Sequence, residues 1–240
     1  MTPDQHFSQL GANITLFRRL LSAGDLTEPV PGCPGWDLAD LSGHLGGIYR
    51  FAATAIAEAR GIDEPSGPRE RADLLGWFDT GATQVQDALD VRDWRRPCWT
   101  MAPPANTGFW ARRMCHETAL HLWDAQQSQG TEGVIDAELA ADGVQEVVAM
   151  FFPRQVRLQR ILPLTGTLEI HIQDAPAGDH LILAGDGAGP APDESDAVLS
   201  GQAQALLLLL WKRVPFSTSE FTLSGDQDTA RRALATALTP

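Results

Sequence analysis

A change in hydrophobic period near residue 163 constrains this 240-residue chain most. Upstream, apolar side chains recur every three or four residues, the repeat of helices with one buried face. Downstream, short alternating or continuous apolar runs sit between Gly and Asp, the pattern of strands. Thr2-Pro3-Asp4-Gln5 is a capping-box start, and Phe7, Leu10, Ile14, Phe17 and Leu21 follow at helical spacing to a stop at Gly24. Asp37 caps a second helix carrying Leu41, Leu45, Ile48, Ala52, Ala55 and Ala59. A third runs over 69–90, and the proline-bearing stretch 91–106 is a loop. A fourth helix runs from Thr107 to about Gln129, and a fifth, capped by Asp136, reaches Phe152. Strands are expected over Thr167–Gln173, His180–Ala184 and Glu220–Leu223, with a turn-rich loop at Gly185–Ser195. Helices are expected over Ala203–Arg213 and Asp226–Leu238, the first with five consecutive leucines, Leu206–Leu210, and so buried on most sides. The fold class is therefore α+β: a four-helix bundle with a linker helix over 1–155, then a small α/β domain over 160–240.

Charge and cysteine content narrow the function. The net charge of −13 repels phosphate backbones and anionic lipid, which argues against nucleic-acid and peripheral membrane roles. No apolar run approaches the ~18 residues of a membrane span, and MTPDQHFSQL lacks the basic and apolar regions of a secretory signal. Three cysteines (33, 98, 115) make no disulfide framework and fit a reducing cytoplasm. Among 18 basic residues only Lys212 is lysine, a skew expected of a GC-rich genome.

Chemistry concentrates on the fourth helix. At about 100° per residue, Trp110, Met114, Glu117 and His121 share a stripe, and the apolar members turn it inward. A carboxylate and an imidazole one turn apart are then buried, which is costly unless they pair or bind a metal. His116-Glu117-x-x-x-His121 is one residue longer than the zinc-protease motif, so His116 lies roughly 140° from His121 and points elsewhere. A third ligand must come from another helix. His44, on the flank of the second helix's apolar stripe, is the candidate. His44, Glu117 and His121 would form a His₂Glu set with an open position, a set that suits Zn²⁺, Ni²⁺, Mn²⁺ or Fe²⁺, with zinc, the usual ion of such catalytic sites, as first choice. The alternative is a buried Glu117–His121 pair with His44 near the surface. Asp124, one turn past His121, either orients a ligand ring or is solvated or capping. Trp36 either anchors the start of its helix or walls a pocket. Cys33 reads as an ordinary reduced thiol rather than a nucleophile, and Arg112 and Arg113 as solvated cations, the alternative being contact with an anionic substrate.

Two segments carry a family resemblance. Pro31-Gly32-Cys33-Pro34-Gly35-Trp36-Asp37-x-x-Asp40-Leu41-x-x-His44-Leu45 and Arg113-Met114-Cys115-His116-Glu117-x-x-x-His121-x-x-Asp124-Ala125 resemble the signatures of the mycothiol-dependent maleylpyruvate isomerase family. Gly201-Gln202-Ala203 leading into Leu206–Arg213, and Leu223-Ser224-Gly225-Asp226, are similar to its C-terminal signatures. The resemblance implies a DinB-like metal-binding four-helix bundle followed by a small, lipid-carrier-like α/β domain. It implies His44, Glu117 and His121 as metal ligands, mycothiol as cosubstrate, a small electrophilic substrate and an actinobacterial source. The expected activity is isomerisation or S-transfer. The rivals are a metal-binding protein whose C-terminal module takes a lipid or other small molecule without thiol chemistry, and a metal-dependent hydrolase.

Overall fold

The computed structural model describes residues 1–90, 92–175, 180–187, 194–217 and 219–240. They form two compact units, Met1–Val134 and Ile135–Pro240, and the class is α+β. Among the described residues no helix is long and apolar enough to cross a membrane, and no disulfide forms.

The first unit is a bundle of α1 (Pro3–Ala23), α2 (Leu38–Glu58), α3 (Arg71–Asp90) and α4 (Thr107–Ser128). The starts follow local chemistry. Thr2 and Gln5 form a reciprocal capping box on α1, and Asp37 and Asp40 form one on α2. α1 packs on α4, and α2 on α3. Leu10, Phe17, Leu41, Leu45, Tyr49, Phe78 and Trp110 are fully buried between them. Each such side chain contributes about 1.5–3 kcal/mol through area removed from water.

One seam of this bundle depends on glycine. A Cβ on Gly46 would lie 2.5 Å from Trp77, one on Gly47 2.4 Å from the Pro65 carbonyl oxygen, and one on Gly67 2.6 Å from Gly43 Cα. The absent side chains let α3 and the 61–70 segment lie directly on α2. The Trp77 indole N–H donates to the Gly43 carbonyl at 3.0 Å across this contact. Two substitutions in α3 test it. Gly76 has open space around its Cβ position, so Gly76→Ala should stabilise by up to about 1 kcal/mol through helix propensity. A Cβ on Gly81 would sit 2.6 Å from the Gly46 carbonyl oxygen. Overpacking there costs about 1–3 kcal/mol and exceeds the same propensity gain, so Gly81→Ala should lower the melting temperature. Equal shifts of the same sign in thermal melts would overturn the seam.

The second unit begins with α5 (Ala137–Glu146), capped by Asp136 as expected. The sequence reading groups this helix with the bundle, whereas in the structure it packs against α7 (Ala203–Leu210) inside the second unit. The helix expected through Phe152 runs on from α5 without a gap, first as a π-helical turn, Val147–Phe151, and then as α6 (Phe152–Arg157). The sheet comprises β1 (Leu164–Ile172), β2 (His180–Gly185), β3 (Ala197–Gly201) and β4 (Phe221–Gly225) in the order β2-β1-β3-β4. β1 and β3 run parallel, and both outer pairs are antiparallel. Alternate residues Leu168, Ile170, Ile172, Ala197 and Leu199 face the core. α8 (Gln227–Ala235) packs on β1 and β3. Residues 188–193 of the loop expected at Gly185–Ser195 lie outside the described residues.

α7 ends earlier than its periodicity predicts. The Lys212 N–H donates to Leu209 and the Arg213 N–H to Leu208, the paired bonds of a Schellman terminus. Lys212 therefore occupies the left-handed position, φ +60°, that glycine usually fills. A side chain there costs roughly 1–2 kcal/mol.

Candidate metal centre

α4 turns its Glu117–His121 edge inward as the helical repeat requires, with Trp110 and Met114 buried on the same stripe. His121 Nε2 lies 3.2 Å from Glu117 Oε1. α2 brings His44 to the same oxygen, its Nε2 also at 3.2 Å. The two rings meet edge to face with centroids 5.2 Å apart. One donor atom from each of His44, Glu117 and His121 lies within 4.8 Å of the other two. The structure thus brings together the three residues singled out from sequence. His116 points elsewhere, its ring 5.7 Å from that of His6.

The outer nitrogens are held as well. His44 Nδ1 lies 2.6 Å from Glu64 Oε1, and His121 Nδ1 lies 3.0 Å from Asp124 Oδ2. A carboxylate accepting from Nδ1–H fixes ring orientation and leaves Nε2 as the inward donor. Asp124 is fully buried, which removes the solvated reading, and it also accepts from Cys33 Sγ at 3.6 Å. Cys33, His121 and Asp124 form a second compact donor group sharing His121. The Trp36 ring sits 4.9 Å from that of His44. With Asp40, His44, Glu64 and Arg69 it lines a cavity of about 490 Å³, so it walls a pocket.

Arg113 corrects the expectation of a solvated pair. It is 3% exposed, and its guanidinium is bonded to Glu117 Oε2 one turn along α4. Burial alone would raise the Glu117 pKa. The Arg113 charge and the bonds from His121 and His44 outweigh it and hold the carboxyl well below its usual range. For His121, burial disfavours the charged ring, but Asp124, Cys33 and Glu117 together push its pKa well above the ordinary value. His44 is raised in the same way, with burial opposed by Glu117 and Glu64. Three carboxylates facing two imidazoles, against one arginine, make this a place that favours a cation.

The donor set also has the dimensions of a metal site. Tetrahedral ligands at about 2.0–2.1 Å from zinc lie roughly 3.3 Å apart, close to both 3.2 Å separations here. Two imidazole nitrogens and one carboxylate oxygen, with both rings braced from behind, fit a divalent ion.

Neither Glu64 nor Arg113 is expected at the site from sequence. The Arg113–Glu117 spacing of four residues matches that of Glu117–His121, so extending the same stripe by one turn finds it. Glu64 has no local signal, since the glycine seam of α2 places it.

Residues 7–126 match the family model described as Mycothiol maleylpyruvate isomerase N-terminal domain. Residues 138–232 match that of the MDMPI C-terminal domain. No curated protein matches the sequence. Two crystal structures share the fold at 13% identity, covering 94% of this chain and 95% of theirs. One is a histidine-to-alanine mutant of the mycothiol-dependent maleylpyruvate isomerase, with a TM-score of 0.65. The other is described as the mycothiol-dependent maleylpyruvate isomerase, with a TM-score of 0.59.

Proposed function

The chain belongs to the mycothiol maleylpyruvate isomerase family, and from that premise we propose a metal-dependent enzyme that uses a small thiol, mycothiol, to attack a small electrophile. The observation that carries this reading is the convergence of His44 Nε2, His121 Nε2 and Glu117 Oε1, with each outer ring nitrogen against a carboxylate. A divalent cation held there, zinc by preference, supplies the charge that keeps a thiol sulfur ionised near neutral pH.

The protein's own groups set the rest. Arg113 occupies the second oxygen of Glu117, which leaves Oε1 to face the two rings. Glu64 and Asp124 keep a proton on each Nδ1. Trp36 and His44 give the neighbouring cavity an aromatic wall. Thiolate addition would break the C=C π bond of the electrophile. Rotation about the resulting single bond and expulsion of the thiolate would give isomerisation, whereas uptake of a proton from water by the carbanion, with the C–S bond kept, would give S-transfer. The charged residues lining that cavity are Asp40, Glu64 and Arg69, and Arg69 is already paired with Asp37 and Asp40. An uncharged electrophile fits this wall better than a dicarboxylate.

The test incubates zinc-loaded protein with mycothiol and a panel of maleyl compounds and neutral enones. Conversion should require the thiol, and neutral acceptors should turn over faster than dianionic ones. No thiol-dependent conversion across the panel overturns the proposal. Equal conversion of activated esters without thiol would favour hydrolysis by the same site.

A further inference from the structure

The second unit contains a cavity of about 870 Å³ that the bundle chemistry does not use. That size lies within the roughly 300–1,000 Å³ typical of small-molecule sites. Its apolar wall is built by Leu209, Val214, Phe216, Phe221, Leu223 and Leu234. Phe216 and Phe221 stack with centroids 5.7 Å apart, and Phe216 remains 40% exposed. Single exposed apolar residues are ordinary, but here they line one concavity rather than scatter.

The cations on this wall are not equivalent. Arg231 is paired with Asp228 at 2.8 Å and also donates to Gln227. Arg213 bonds the Trp211 carbonyl. Lys212 donates to the Leu234 carbonyl, and among the described residues no carboxylate lies within ion-pair distance of it. An ammonium has three donors, so two remain available. Burial pushes its pKa down with no anion to oppose the shift.

The backbone gives a second, independent indication. Lys212 holds the left-handed Schellman position, where glycine would be free of strain. The chain therefore carries its one lysine at a position that disfavours any side chain, at the edge of this apolar cavity.

We propose that this cavity binds one anionic amphiphile, a carboxylate with an apolar body, whose head group pairs with Lys212 while its body lies on Phe216 and Phe221. The proposal does not rest on the thiol chemistry and stands or falls without it.

Titration calorimetry of the full chain with decanoate, below its micelle concentration, tests this. Binding should saturate at one per chain, with decanol at least about tenfold weaker and acetate silent. Lys212→Gly relieves the backbone strain, so the fold should melt no lower than the parent. It should nevertheless lose at least about tenfold in decanoate affinity and no longer distinguish decanoate from decanol. Phe216→Ser should weaken both ligands together. Absence of saturable decanoate binding, or a Lys212→Gly variant that binds decanoate as tightly as the parent, overturns the proposal.

Discussion

His121→Ala is expected to leave the protein folded but unable to retain zinc through desalting, as read by metal content per chain. The ring supplies one of three convergent donors, and its Nε2 lies 3.2 Å from Glu117 Oε1. His44→Ala removes a second donor from a different helix and should give the same loss. Asp124→Asn tests the layer behind. It keeps the shape but weakens the acceptor that faces His121 Nδ1 at 3.0 Å, so affinity should fall by about 10–100-fold rather than vanish. His116→Ala is the control, because that ring packs against His6 and not toward the donor set. Circular dichroism melts of each variant separate metal loss from unfolding. Retention of full metal by both His44→Ala and His121→Ala, or its loss in His116→Ala alone, overturns the assignment.

Arg113→Met should carry the largest stability cost. The guanidinium is 3% exposed and neutralises a carboxylate that is itself withdrawn from water. Removing one member of a buried pair typically costs about 3–5 kcal/mol, and with His44 and His121 still facing Glu117 the loss should fall at the lower end of that range. For a chain of this size that is a fall on the order of 10 °C in melting temperature. Adding Glu117→Gln to Arg113→Met removes the stranded charge and should recover part of the loss. Both melts are done without metal, since a bound cation would itself compensate Glu117. A single variant within about 0.5 kcal/mol of the parent would mean that Arg113 is solvated after all.

The donor set was legible because helical spacing is local information. Trp110, Met114, Glu117 and His121 fix which way α4 turns, and His44 follows from the apolar flank of α2. Arg113 was legible in principle and lost to the assumption that adjacent arginines face solvent. Glu64 was not legible, because its place depends on Gly43, Gly46, Gly47 and Gly67 letting a loop touch a helix. Nor was β3. Ala197–Gly201 offers only Val198 and Leu199 as strand-favouring residues before Ser200 and Gly201, and it becomes a strand because β1 and β4 pair with its two edges. The break of the fifth helix into a π-turn likewise leaves no mark in Val147–Phe151, a run that reads as plain helix.

The donors' origin on two helices has a consequence for the unfolded chain. His44 and Glu117 are separated by 73 residues, so an ion gripping both ties a long loop shut. In the chain-entropy model a covalent tie over a loop of that length lowers the freedom of the unfolded state by about 4 kcal/mol. A reversible tie of this kind acts as a removable staple. An ion held there would join α2 to α4, and chelation would open the tie without breaking a bond in the polypeptide.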